Sequence, residues 1–168
     1  MWKVEDFGSG ALLFTAATDS VRVGISNWGG AITKIETLDQ HGHMDHIAFG
    51  HDDCASYQGE KTRFFGCITG RFANRIARGR FALNGKEYTV RMTSLERDVV
   101  FYFLFLFFFF LFSKLPINNG PNSLHGGIEG FDKKFWAAEV GQDHDIILRY
   151  TSPDGEEGYP GALETSVR

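Results

Sequence analysis

Short apolar stretches alternate with turn-forming residues along most of this chain. Between residues 11 and 50 the runs ALLFTAA, VRVGISNW, AITKIETL and HIAFG are separated by Asp19-Ser20, Gly29-Gly30 and Asp39-Gln40-His41-Gly42. Runs this short, rich in β-branched and aromatic residues and bounded by breakers, predict successive antiparallel strands of a meander. Ser26-Asn27-Trp28-Gly29-Gly30 supplies residues tolerant of positive φ, which a sharp strand-to-strand reversal needs. Asn84-Gly85 stands between Phe81-Ala82-Leu83 and Tyr88-Thr89-Val90. Asn-Gly is the favoured dipeptide of two-residue hairpin turns, so a hairpin is predicted there. After Asn118 the segments NNGPNSLHGGIEGFDKKFWAAEV and DIILRYTSPDGEEGYPGALETSV place Asp154-Gly155 and Pro160-Gly161 between strand-like runs. That spacing suits a sandwich whose loops carry the functional site.

One run breaks the pattern. Residues 99–112, VVFYFLFLFFFFLF, are uncharged and show neither the period of two of a half-buried strand nor amphipathic helical spacing. The run has 14 residues, whereas a membrane span needs about 20. Phe, Leu and Ser codons are mostly pyrimidines, so a Phe/Leu run ending in Ser113 resembles a translated polypyrimidine tract. Retained intron sequence over roughly residues 91–117 is the expectation from this bias; a membrane anchor and a buried strand pair are the alternatives. If translated, an uncharged β-prone window without proline is an aggregation hazard.

Composition narrows the class. A length of 168 residues suits one domain or a large piece of one. Twenty glycines against four prolines favour a turn-rich chain, all-β or β-rich. The net charge of −4, with Lys and Arg scattered, leaves no basic stripe for a phosphate backbone, which excludes nucleic acid as the expected partner. Cys54 and Cys67 form no CxxC pair or Cys/His cluster, so neither a disulfide framework nor a zinc site is expected, and a cytoplasmic setting is. The N-terminus lacks the basic start and apolar core of a secretory signal and reads as mature protein.

Several residues carry candidate chemistry. His125 sits in a Gly-, Pro- and Asn-rich loop from Asn118 to Gly127, where an imidazole can donate a hydrogen bond or shuttle a proton, or simply be structural. Asn74-Arg75 offers an amide beside a guanidinium, several donors suited to hydroxyl and ring oxygens. Arg71, Arg75, Arg78 and Arg80 equally fit a solvated charged face. Asp154, Glu156 and Glu157 form an acidic turn expected to face water rather than to do acid–base work. Phe131, Phe135 and Trp136 are expected in the core, although aromatic rings also stack on sugars. His41, His43, His46 and His51 lie in polar stretches, as does His144, and the first three have no accompanying Cys, which makes a metal site there a weak expectation.

Taken together, residues 65–76, Asn84-Gly85-Lys86-Glu87-Tyr88, residues 121–127, Gly130-Phe131-Asp132-Lys133 with Trp136, and residues 152–161 resemble the aldose 1-epimerases (galactose mutarotases). The resemblance covers residues 21–90 and 118–167. In that family the equivalent of Val90 is followed within a few residues by the Asn-Gly-Pro-Asn loop, so the intervening tract is a departure. The resemblance implies an all-β fold, an antiparallel β-sandwich of galactose-mutarotase type, of which residues 1–168 would be the N-terminal part. It implies that Asn74, Arg75 and His125 bind sugar oxygens, and that the reaction interconverts α and β anomers of an aldohexose such as galactose or glucose. The catalytic acid (a histidine) and base (a glutamate) of the family are expected beyond Arg168, so this chain alone is expected to be inactive. No cofactor or metal is implied, and a monomer is expected. A non-catalytic carbohydrate-binding or regulatory module is the second expectation. A membrane-anchored protein, resting only on residues 99–112, is the third.

Overall fold

The structure, a computed structural model, describes residues 1–59, 64–90 and 122–168. Strands β1 (Lys3–Gly8), β2 (Ala11–Ala17), β3 (Val21–Ser26), β4 (Ile32–Leu38) and β5 (Met44–His46) form one antiparallel sheet in chain order. Three of the four predicted runs are strands. The fourth, HIAFG, leaves the sheet after His46, and Ile47 and Phe49 are 65% and 86% exposed. The preceding turn explains this: the Asp39 carboxylate accepts the N–H groups of His41 and His43 at 2.7 and 2.8 Å. Pairing with β4 therefore starts at Met44 opposite Leu38, and the short ladder ends as the apolar residues arrive. Strand β1, which the apolar pattern did not predict, pairs with β2 through a tight turn in which Gly8, Ser9 and Gly10 all have positive φ. At the predicted reversal, Gly29 and Gly30 have φ of 63° and 57°, and the Ser26 N–H bonds the Ala31 carbonyl at 2.8 Å.

A second sheet is made by β10 (Ala137–Val140), β11 (Ile146–Ser152) and β12 (Leu163–Val167), again antiparallel and in chain order. Phe14 of β2, Ile146 and Leu148 of β11, and Phe131 and Trp136 from the segment before β10 bury together, with Ile25 and Tyr150 against them. The core thus lies between side chains of the two sheets, as in a sandwich. Phe131 and Trp136 meet edge to face at 5.5 Å, and the indole N–H donates to the Phe131 carbonyl at 3.1 Å, which satisfies the buried donor. Phe135 departs from the core expectation: it is 47% exposed and lies edge-on to Trp28 at 4.7 Å. The chain alternation explains it, because the neighbour Trp136 takes the inward position.

Two smaller ribbons complete the fold. The predicted hairpin is present as β7 (Arg80–Leu83) and β8 (Lys86–Thr89), with Leu83 opposite Lys86 and both Asn84 (52°) and Gly85 (76°) at positive φ. Strands β6 (Arg75–Ile76) and β9 (Ser123–Leu124) pair antiparallel. Val90, Ile76 and Tyr159 bury together beneath this ribbon. Regular helix is limited to Cys54–Tyr57 and single turns, so the all-β class holds among the described residues. No helix of the described residues is long and apolar enough to cross a membrane. The run at 99–112, the wider 91–117 tract and Pro121 lie outside the described residues.

Candidate functional site

The β6–β9 ribbon brings two distant loops together. Leu124 faces Arg75 across the pairing, so His125 is carried to Asn74. The two residues then bond reciprocally: the His125 N–H donates to the Asn74 carbonyl at 3.0 Å, and the Asn74 N–H donates to His125 Nδ1 at 2.9 Å. Both have left-handed backbones, with φ of 66° and 50°, a conformation uncommon outside glycine and concentrated at functional positions. Because Nδ1 accepts, the neutral ring carries its proton on Nε2, leaving that nitrogen as the donor. Arg75 Nη1 donates to Asn74 Oδ1 at 3.1 Å, which orients the amide. Asn74, Arg75 and His125 therefore form one cluster, with Asn74 and Arg75 exposed and His125 half-buried.

Close backbone packing fixes the loop after His125. A Cβ on Gly126 would lie 1.6 Å from the Gly70 carbonyl oxygen, and one on Gly127 would lie 2.3 Å from Glu157 Oε2. Gly70 in turn accepts the Phe131 N–H at 3.2 Å. The expectation that the acidic turn faces water is corrected here for Glu156 and Glu157. Glu157 is 8% exposed and its Oε2 accepts the Ile128 N–H at 2.9 Å. Glu156 pairs with Lys134 Nζ at 2.8 Å, takes the Tyr150 hydroxyl at 2.6 Å and also accepts from the Ser152 hydroxyl. Asp154 stays exposed while accepting the Gly161 N–H. Polar side chains turned toward a backbone N–H or a half-buried ammonium are held in place by those partners. Arg71 likewise departs from the solvated-face expectation. Its guanidinium reaches Ser152 Oγ at 2.9 Å, the Ser152 carbonyl at 3.1 Å, the Pro160 carbonyl at 3.2 Å and the Gly161 carbonyl.

Electrostatics favour a neutral imidazole. Burial lowers the His125 pKa below its ordinary value and the Arg75 charge adds to this, while Asp132 pulls the other way. Asp132 is buried and paired with Lys133 Nζ at 3.0 Å. Phe64 lies edge-on to the His125 ring at 4.7 Å, with Lys133 Nζ 5.8 Å from the Phe64 centroid. Phe64 also lines a cavity of about 290 Å³ with Trp28, Tyr57, Cys67 and Asp132. Another concavity, of about 470 Å³, lies over β1 to β4 beside His51. Neither of these two is lined by Asn74, Arg75 or His125, but Phe64 joins the His125 ring to the first. Cys54 and Cys67 are free thiols, and burial pushes Cys67 up to about 12. Among the described residues no group of three or more His, Cys, Asp or Glu is placed to hold a metal ion.

Glu157, Arg71 and Phe64 were not legible as site neighbours from sequence. The one local signal was the pair Gly126-Gly127 directly after His125, since consecutive glycines mark positive φ or close approach by other backbone.

Comparison with known proteins gives the family. The aldose 1-epimerase family model matches residues 13–94 and 113–168. Over 154 residues the chain is 41% identical to galactose mutarotase of Bos taurus, covering 92% of this chain and 37% of that protein. It is 28% identical over 146 residues to aldose 1-epimerase of Escherichia coli K12, covering 87% and 35%. Among solved structures, a GalM/aldose epimerase homologue from C. elegans aligns with a TM-score of 0.72 at 21% identity, over 94% of this chain and 41% of that one. A galactose 1-epimerase from Lactobacillus acidophilus aligns with a TM-score of 0.67 at 20% identity, over 99% and 42%. The chain spans about two fifths of the length of the relatives it matches. Family match, sequence identity and the antiparallel fold agree: this chain belongs to the aldose 1-epimerase family.

Proposed function

We propose that this chain supplies the Asn74–Arg75–His125 wall of a sugar site, in a protein that interconverts the α and β anomers of aldohexoses such as galactose and glucose. The carrying observation is the reciprocal bonding of Asn74 and His125, which fixes Nε2 as a donor beside the Arg75 guanidinium. A pyranose presents hydroxyl and ring oxygens that accept from such donors, and a neutral imidazole and a guanidinium supply them without a metal. The roles given to the three residues are substrate binding. Anomer exchange needs a base on the anomeric hydroxyl and an acid on the ring oxygen, and one imidazole does not fill both places. The site takes a small sugar in a monomeric protein of the cytoplasm, a reducing setting that the two free cysteines support.

The test is calorimetry of the chain with galactose, alongside polarimetry of fresh α-galactose. Saturable binding that His125→Ala weakens at least about tenfold, the scale of one lost directional hydrogen bond, with rotation changing near its spontaneous rate, is the expected result. Binding that is absent, or indifferent to His125 and Asn74 substitution, would end the proposal. We also propose that a tract within residues 91–117 is foreign to the domain; the family match stops at residue 94 and resumes at 113, which supports this for residues 95–112.

A further inference from the structure

We propose that Glu157 is a positioning residue for His125: its buried carboxylate holds the 125–128 loop so that the imidazole keeps its bond to the Asn74 N–H. This rests on the sugar-site reading above for its functional consequence, although not for its structural one.

Three observations carry it. Glu157 Oε2 accepts the N–H of Ile128, three residues after His125, and sits where any side chain on Gly127 would be. The loop is therefore pressed between the Glu157 carboxylate on one side and the Gly70 carbonyl, against Gly126, on the other. Glu157 is itself fixed, in a left-handed conformation with φ 52°, between two tethers. On one side Glu156 is tied to Lys134 and to Tyr150 and Ser152 of the second sheet. On the other, Gly158 packs so tightly on Thr89 and Val90 that a Cβ would lie 2.4 Å from the Thr89 carbonyl oxygen. The turn is thus a strut from the β11 sheet and the β7–β8 hairpin to the histidine loop. A charged acceptor on a part-buried backbone N–H is among the stronger hydrogen bonds, and its removal takes away that N–H's carboxylate partner. The carboxylate reaches the loop through the Ile128 N–H, so it acts on His125 through the loop backbone.

The experiment uses the full chain and its Glu157→Gln, Glu157→Ala and Gly127→Ala variants. Nitrogen-15 NMR of the His125 ring reports the tautomer, and calorimetry reports galactose binding. The wild-type chain is expected to show the Nε2-protonated form. Glu157→Ala is expected to mix the two tautomers and weaken galactose binding about tenfold, the scale of one lost charge-assisted bond. Glu157→Gln, whose amide oxygen still accepts, is expected to restore most of both. Gly127→Ala, which drives a methyl into the carboxylate, is expected to reproduce the Ala result and covers the case in which Glu157→Ala does not fold. If Glu157→Ala or Gly127→Ala folds and leaves tautomer and affinity as in the wild type, the positioning role is wrong. If the wild type binds no galactose yet the tautomer moves in Glu157→Ala, the positioning role stands and the sugar site falls.

Discussion

His125 carries a charge-dependent consequence. Its Nδ1 accepts from Asn74 only while unprotonated, and burial, followed by the Arg75 charge, holds its folded pKa below the ordinary 6.5, against the pull of Asp132. The unfolded chain therefore binds the proton more readily, and the stability this group contributes is present above pH 6.5 and lost as pH falls through the folded pKa. Denaturant melts between pH 7.5 and 5.5 should show wild type losing more stability than His125→Gln, whose amide does not titrate in this range; equal losses would remove the imidazole from the explanation. Gly126 gives a steric counterpart. Its φ is 96° and a methyl would meet the Gly70 carbonyl oxygen at 1.6 Å. Gly126→Ala should destabilise by about 2 kcal/mol or more, from left-handed strain plus displaced backbone, and thermal melting checks it. The sequence marked His125 through its loop composition. It hid Glu157, because an acidic pair between Gly155 and Gly158 looks solvated until its partners are known.

At the scale of elements, local chemistry was most readable where it was self-contained. Asn84-Gly85 adopts the paired positive φ values that a two-residue hairpin requires. A Cβ on Gly85 meets nothing within 4 Å at φ 76°, so Gly85→Ala should cost only about 1 kcal/mol of conformational strain and leave galactose affinity unchanged. A loss as large as that of Gly126→Ala, read from the same melts, would show a contact missing from this account. Long-range placement was harder to see. The sequence offered Arg71 as one of several surface cations, yet its fork bridges Ser152, Pro160 and Gly161, some 80 to 90 residues away. A lysine presents one ammonium in place of that planar fork. Arg71→Lys should therefore destabilise by about 1.5–3 kcal/mol, the scale of charged hydrogen bonds lost to carbonyls, measured by urea unfolding. The β1 strand and the HIAFG segment show the same limit: a neighbour's register, set by turns at Gly8-Ser9-Gly10 and Asp39, decided which residues entered the sheet.

For the whole molecule, the described segments on either side of the 91–117 tract end close to one another. The Val90 N–H donates to the Gly79 carbonyl at 2.8 Å, and the Arg78 N–H donates to Asn122 Oδ1 at 3.2 Å. Both segments are thus moored to one turn, and Val90 is buried against Ile76 and Tyr159. With residues 118–121 between them, Val90 and Asn122 would be five steps apart and could span up to about 17 Å at roughly 3.5 Å per step, which is ample for segments moored to adjacent residues. Joining Val90 directly to Asn118 therefore needs no rearrangement of the β6–β9 ribbon or the His125 loop. Removing an uncharged, β-prone run also removes an aggregation-prone segment. The chain lacking residues 91–117 should then show higher soluble yield, the same Nε2-protonated His125 and the same galactose affinity as the undeleted chain. Loss of the folded core on deletion, seen as a collapsed melting transition, would show that the tract belongs to the domain. Carbonate-resistant membrane recovery of the undeleted chain alone would show that it serves as an anchor.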